Sequence, residues 1–363
     1  MKITALVAIE RDFWTGRRVL VTGHTGFKGA WLSLWLQHLG ARVSGLAAGA
    51  PTRPSLFELA HVGDHMQQHA ADIRDARRVD ECVAAASPEV LFHLAAQPIV
   101  RRALAEPAQA YQVNVMGTVN MLEAARRLGG ELRAVVVVTS DKCYENDGSP
   151  GRRFSEGDAL GGADPYSSSK ACAELVASAY RRSYFDGERI ATARAGNVIG
   201  GGDWGEDRLL ADAARAIEAG TPLLVRNPAA VRPWQHVLNP LGGYLLLAQR
   251  LCERAGTARA WNFGPAAEDE RPVSWILDRL AELWDGELRW QRDGREHPAE
   301  APYLALASAA AAKELGWRAG WQLDEALESI VSWHRAQREG QPARSVSMAQ
   351  IEDFASASSA KSS

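Results

Sequence analysis

The sequence predicts an α/β protein: a doubly wound parallel sheet with a smaller, mixed lobe towards its C-terminal end. Three observations carry this. Short apolar runs alternate with helical patterns through the first half of the 363 residues, as in successive βαβ units. Two of those runs, "EVLFHLAA" and "AVVVVTS", are apolar almost throughout, the mark of strands covered on both faces. After about Gly196 the alternation breaks into Gly-, Pro- and Trp-rich loops among helices, which marks the second lobe.

Taken in order, "RRVLVTG" reads as a strand and "GAWLSLWLQHLG" as a helix with Leu32, Leu36 and Leu39 on one face. "ARVSGLAAGAPTRPS" holds a second strand, and a third precedes "ADIRD". "NVMGTVNMLEAARRLG" and "YSSSKACAELVASAYRRSY" are helical patterns, and "RIATARAGN" is a further strand. "HVLNPLGGYLLLAQRL" and "RAWNFG" read again as helix and strand. The first lobe is therefore expected to span residues 16–195 plus a return near 237–265, and the second about 196–236 plus 266–340. Residues 341–363, ending "SASSAKSS", are small and polar and read as a disordered tail.

Composition narrows the function classes. The chain is 46% hydrophobic and 23% charged, ordinary for a soluble globular protein. A net charge of −3 offers no basic excess for nucleic acid. The four cysteines form no C-x-x-C pair, which suits free thiols in a reducing cytoplasm. The apolar run in "MKITALVAIERDF" is short for a secretory signal. No run approaches the roughly 20 residues that cross a bilayer, so a cytoplasmic protein without a membrane partner is expected. His61, His65 and His69 have helical spacing, but no carboxylate or cysteine completes a site, and no metal is expected.

Two motifs carry chemistry. In "VLVTGHTGFKG", Gly23, Gly26 and Gly29 follow a strand and open a helix. Glycines there allow a tight turn and close approach of a pyrophosphate to the helix N-terminus, a Rossmann-type dinucleotide site. Asp72 and Ile73 follow the third strand and are placed to meet the adenine. About 20 residues past the glycines such folds offer an acid to a ribose hydroxyl; here only Ser44 and Gly45 stand in the strand. With Lys28 and Arg53 nearby, electrostatics leaves NAD and NADP both open. In "DPYSSSK", Tyr166 and Lys170 lie one helical turn apart. A lysine so placed can bond a ribose while its charge lowers the tyrosine pKa from about 10 towards neutrality, making Tyr166 a base for a sugar hydroxyl.

The glycine loop, "HLAAQ" (His93 to Gln97), Asn114, Ser140 and the Tyr166–Lys170 pair together resemble the extended short-chain dehydrogenase/reductases that act on nucleotide sugars. "TSDKCYEN", "DPYSSSKACAELV", "ARAGNVIGGGDWGEDRL" and "RPWQHVLNPLGGYLLLAQRL" narrow the likeness to the CDP-glucose 4,6-dehydratases, from about Gly16 to about Gly340. The resemblance implies NAD, held by Gly23, His24, Thr25, Gly26, Phe27, Gly29, Asp72, Ile73, Leu94, Ala95, Ala96, Tyr166 and Lys170. It implies CDP-glucose as substrate, contacted by Gln97, Asn114, Asn197, Arg208, Arg226, Arg232, His236 and Tyr303. Arg232 would grip the diphosphate, for which a guanidinium fork is suited. "REHPAEAPYL", Arg295 to Leu304, lies where relatives bind the nucleotide. A homodimer or dimer of dimers through a four-helix contact is also implied.

By the same resemblance, hydride leaves sugar C4 while Tyr166 removes the hydroxyl proton, C5 loses a proton, water leaves from C6, and hydride returns to C6. Elimination needs a base at C5 and an acid at the C6 hydroxyl. In the dTDP-glucose relatives the strand end reads Thr-Asp-Glu; here it reads Ser140, Asp141, Lys142. Asp141 carries over as the acid, but the base position holds an amine. Bringing a lysine from about 10.4 to about 7 costs roughly 4–5 kcal/mol, which a desolvated, cationic pocket can supply. Lys142 as the C5 base, and Lys142 as a charged stabiliser of the enolate, are both open. A 4-epimerase would leave Asp141 and Lys142 idle, and a non-catalytic dinucleotide sensor would not need Tyr166 with Lys170.

Overall fold

Seven parallel strands form the central sheet of the computed structural model, which describes residues 9–295 and 301–360. They are β1 (Arg18–Thr22), β2 (Arg42–Ala47), β3 (Gln67–Ala70), β4 (Val90–His93), β5 (Ala134–Val138), β6 (Ile190–Arg194) and β7 (Ala260–Asn262). Their spatial order is β7-β6-β5-β4-β1-β2-β3, all pairs parallel. The order reverses between β1 and β4, and sheets of this kind open a ligand crevice there, beyond the strands' C-terminal ends.

Every residue of β4 and β5 is buried, because helices cover both faces. One face packs on α2 (Ala76–Ala86), α3 (Gly117–Leu128) and α4 (Pro165–Tyr184). The other packs on α1 (Phe27–His38) and, later in the chain, on a helix at Leu238–Cys252. Between these, α5 (Leu209–Ala219) opens the second lobe, so the helix at Leu238–Cys252 is α6. Helices α5, α7 (Val273–Leu283) and α8 (Leu323–Arg338) share a separate core with Leu210, Ile217, Ile276, Leu280, Leu327 and Ile330.

The sequence reading of α1 as one-faced is too modest. Gly29 to Leu36 are buried without a break, because the outer face is covered by α9 (Ala343–Ala360). That helix corrects the expected disordered tail. Ser347, Ile351 and Phe354 fall on one helical face and are buried. Phe354 packs edge-on against Trp35 and Trp321, with centroids at 5.6 and 5.4 Å. Ser347 Oγ accepts from Trp333 Nε1 at 3.0 Å. The small, polar residues of the tail hid an amphipathic turn that has apolar partners to cover. His61, His65 and His69 do not share a helix: the first two belong to a short turn and the third to β3. The start of the chain, 1–8, and residues 296–300 of the loose nucleotide match lie outside the described residues.

Candidate active site

A cleft of about 1270 Å³ opens above the switch point and runs into the second lobe. Its floor is the glycine loop. A Cβ on Gly23 (φ +71°) would stand 2.9 Å from the backbone of Ala95, and one on Gly29 only 2.1 Å from Gly23 O. Gly26 opens α1 with nothing nearer than 3.4 Å. Bare backbone is thus presented at a helix N-terminus, the cradle a pyrophosphate needs, and these residues fit a dinucleotide. Thr25 Oγ1 donates to Gly49 O at 2.7 Å and ties this loop to the tip of β2.

Gly23, Thr25, Gly26, Phe27, Gly29, Asp72, Ile73, Leu94, Ala95 and Ala96 all line the cleft. His24 does not. Its ring lies against β2, where a Cβ on Gly45 would lie 2.4 Å from it, and it packs edge-on against Phe57. Gly45 is therefore a consequence of His24. The tip of β2 that does face the cleft is Ala47, Ala48 and Gly49, again without an acid. Asp72 is engaged by a fork from Arg74, with Nη2–Oδ2 at 2.6 Å, and that guanidinium holds its pKa below the usual carboxylate value.

The catalytic candidates converge at the ends of β5 and α4. Asp164 caps α4 by accepting from the Tyr166 and Ser167 amides, so Tyr166 and Lys170 start the helix facing the cleft. Lys170 Nζ donates to Val138 O at 3.1 Å, and burial lowers its pKa to about 8 against the pull of Glu174. Tyr166 corrects the sequence expectation. Burial pushes its hydroxyl up to about 12, opposed by a hydrogen bond with Ser140, and it rests as a phenol.

Asp141 and Lys142 are not on a strand. They sit on a single tight turn, Asp141–Cys143, which β5 enters through Ser140. The turn breaks strand alternation, so both line the cleft. Ser140 Oγ donates to Asp141 Oδ1 at 3.0 Å and accepts from Lys142 N at 3.2 Å. Asp141 is 2% exposed, and burial raises its pKa against Lys142 and Ser140. Its Oδ2 has no partner among the described residues and occupies space that Gly196 leaves: a Cβ there would be 1.6 Å away. Beneath the turn lies a buried network. Arg194 joins Glu174 (2.8 Å) to Tyr144 (2.7 Å), and Tyr144 continues to Asn262 (2.7 Å).

Of the substrate-binding candidates, Gln97, Asn197, Arg208, Arg226 and Arg232 line the cleft. Arg208 pairs with Asp203 at 2.8 Å. Asp207 reaches Arg226 at 3.1 Å and Arg101 at 3.4 Å. Three candidates fall elsewhere. His236 is wholly buried between Trp31 and Trp321, and burial drops its pKa to about 3. Asn114 lies under the cleft, where its amide bonds the Gln97 backbone and Ser169. Tyr303 donates to Glu270 at 2.8 Å on a neighbouring strand pair. Proximity in a motif places a residue near a site without saying which way it faces.

Sequence reasoning missed Lys28 as a site residue. It lines the cleft, donates to Tyr244 OH at 2.9 Å, and is lowered to about 7 by burial and by the charges of Lys170 and Arg208. Its signal was present, one position before Gly29 on the first turn of a helix whose N-terminus faces the ligand.

Comparison with known proteins accords with this geometry. A CDP-glucose 4,6-dehydratase of Salmonella typhimurium is 49% identical over 361 residues, 96% of this chain and 99% of that protein. A dTDP-glucose 4,6-dehydratase of Mycolicibacterium smegmatis is 34% identical over 61% of this chain and 65% of its own. Among solved structures, the UDP-glucose 4-epimerase of Thermus thermophilus in complex with NAD superposes with a TM-score of 0.77 at 25% identity, covering 88% of this chain and 99% of that one. The family model for GDP-mannose 4,6 dehydratase matches residues 20–330, and the chain belongs to that family of nucleotide-sugar dehydratases.

Proposed function

We propose that the protein is a CDP-glucose 4,6-dehydratase, a hydro-lyase that makes CDP-4-keto-6-deoxyglucose and water. The observation that carries this is the Ser140–Asp141–Lys142 turn facing Tyr166 in one cleft, in a chain nearly half identical to a relative of that name. Bound NAD would supply the hydride acceptor at C4 and the donor at C6. The glycine loop and the N-terminus of α1 would hold its pyrophosphate, and Lys170 would hold a ribose. Tyr166 would take the C4 hydroxyl proton once the positive charges of Lys170 and of bound NAD have drawn its phenol towards phenolate. Asp141, whose pKa burial raises, suits the acid at the C6 oxygen. Lys142, on the same turn, is the group we favour to remove the C5 proton, with stabilisation of the enolate by its charge as the alternative. Arg208, Arg226 and Arg232 supply the positive charge that a diphosphate needs.

A 4-epimerase is disfavoured, because it has no use for an acid and an amine on the same turn. The test is the ultraviolet spectrum of base-treated product from CDP-, dTDP-, UDP- and GDP-glucose. A 4-keto-6-deoxy sugar gives a new chromophore and an epimer gives none; the largest signal is expected with CDP-glucose. Absence of the chromophore with all four would remove the assignment.

The lobe division 16–195 with 237–265, against 196–236 with 266–340, is part of the same reading. It is supported by β7 pairing with β6 and by α6 packing on β5. A homodimer is supported by the exposed Leu104, Tyr111, Met116, Leu175 and Tyr184, which stand on α4 and the segments packed beside it. No helix among the described residues is long and apolar enough to cross a membrane.

A further inference from the structure

Glu174, Arg194 and Tyr144 have no part in the proposed reaction, yet they form a buried chain of charge and hydrogen bonds directly under the turn that carries it. Stability does not explain them. An ion pair taken out of water regains little beyond its desolvation cost, and packed apolar side chains of similar volume often serve as well. The side chains of Arg194 and Glu174 are only 4% and 3% exposed. What such a pair supplies is a fixed place for whatever it holds.

We propose that the Glu174–Arg194 pair clamps the two shoulders of the catalytic turn, so that Glu174, Arg194 and Tyr144 are positioning residues for the elimination step and not for C4 oxidation. The inference rests on the dehydratase reading above. Thr139 and Tyr144 flank Ser140 and the turn that it starts. Thr139 Oγ1 donates to Glu174 Oε1. Glu174 Oε2 accepts from Arg194 Nη2 at 2.8 Å and from Thr192 Oγ1 at 2.6 Å. Arg194 Nη1 donates to the Tyr144 hydroxyl at 2.7 Å, which donates to Asn262 Oδ1 at 2.7 Å. Asn262 Nδ2 then donates to Phe154 O at 2.8 Å and to Ala307 O at 3.2 Å. The bonds run in one direction, from guanidinium to phenol to amide, so no member turns without breaking its neighbour's bond.

The two shoulders differ in what else holds them. The entry continues β5, where Thr139 N still bonds Ala193 O at 3.0 Å. The exit runs into a loop. Its backbone pairs with another loop segment, through Gly161 N to Cys143 O at 2.9 Å and the bridge of Tyr144 to Leu160. Its side-chain anchors are the Tyr144 ring, stacked on Phe154 at 5.0 Å, and the Tyr144 hydroxyl. Arg194 also ends β6 two residues before Gly196, the glycine that makes room for Asp141 Oδ2. Tyr166 and Lys170 are held separately, by the Asp164 cap and by Val138 O. Loosening the exit therefore shifts the acid and the amine while the oxidation pair stays in place.

The test is a single turnover of the full chain, loaded with NAD and mixed rapidly with CDP-glucose. NADH absorbance rises with C4 oxidation and decays as hydride returns after elimination. Tyr144→Phe keeps the ring on Phe154 and removes only the hydroxyl. Its decay is expected to slow about 10- to 100-fold, the scale of a small misplacement of a reacting group. Entry of solvent deuterium at C5 should slow with it, while the rise, the steady-state KM and NADH affinity by fluorescence stay unchanged. Arg194→Lys keeps a cation for Glu174 but lacks the planar fork that reaches Tyr144 as well, and should show the same split. The double variant should be no slower than the slower single, because both break one link. Equal slowing of rise and decay, in step with a lowered urea midpoint, is the mark of a merely structural role and would overturn the clamp. An unchanged decay in Tyr144→Phe, or multiplying effects in the double variant, would do the same. Failure of the dehydratase reading shows in the wild type itself, which would give no chromophore with any of the four sugars, and takes the clamp with it; failure of the clamp alone shows only in the variants, beside a wild type that turns over.

Discussion

Lys142 shares a turn with Asp141, and its chemistry can be separated from that of its neighbour. As the C5 base, its replacement in Lys142→Ala should leave C4 oxidation intact and then stall, with NADH accumulating and no deuterium entering C5 from solvent. Lys142→Glu should recover part of the activity, since a carboxylate can serve as base. If a charged lysine only stabilises the enolate, a contribution of a few kcal/mol, alanine would slow exchange without abolishing it and glutamate would be worse than alanine. Gly196 makes a second claim at this scale. A methyl group 1.6 Å from Asp141 Oδ2 forces the carboxyl off its position. Gly196→Ala should lower kcat about 100-fold or more, the share expected of a displaced general acid, while fluorescence titration shows NADH binding unchanged. Normal turnover in that variant would remove Asp141 from the acid role.

At the scale of elements, the tip of β2 sets cofactor affinity. Ala47, Ala48 and Gly49 offer no side-chain acceptor to an adenosine ribose. Two missing hydrogen bonds are worth about 1–3 kcal/mol, or roughly 5- to 150-fold in affinity. Ala47→Asp should tighten NAD binding by a factor in that range, read by the same titration, and an unchanged Kd would mean that the ribose lies elsewhere. The glycine loop, Tyr166 and Lys170 were legible in the sequence because their geometry is local: a strand, a turn, one helical turn. His236, Asn114 and Tyr303 were misplaced because their direction is set by partners far along the chain, Trp321, Ser169 and Glu270. Ser140, Asp141 and Lys142 were read as the end of the strand. Ser140 instead bonds the Lys142 amide and starts the turn, a choice that no apolar periodicity reveals.

At the scale of the whole molecule, exposed apolar residues and buried histidines make separate claims. Leu175 is 59% exposed on α4, which packs beside the segments that carry Tyr111 and Met116. Leu175→Arg should shift sedimentation from dimer to monomer at micromolar concentration, and a wild-type monomer under the same conditions would refute the interface. His93, His236 and His334 are lowered by burial to about 3, 3 and 4. Their folded-state values lie below the unfolded value of about 6.5, so they add stability above that pH and lose it as pH falls towards the folded values. Each contributes about 1.4 kcal/mol per pH unit in that window, and the raised Asp141 offsets part of it. The urea midpoint should therefore fall steadily from pH 6.5 to pH 4; a flat midpoint would mean that the three rings are hydrated.

The cover that α9 lays over α1 also bears on the order of synthesis. Arg344 Nη2 meets Gln37 Oε1 at 3.0 Å across 307 positions of chain, and Phe354 closes over Trp35. As the chain leaves the ribosome, the helix that carries the glycine loop emerges some 307 positions ahead of the residues that shield its outer side. Throughout that interval this βα unit shows a tryptophan-lined flank to solvent, the kind of transient surface that chaperones bind and that aggregates when left alone. The nucleotide cradle is translated about 307 positions before the contact that encloses its helix.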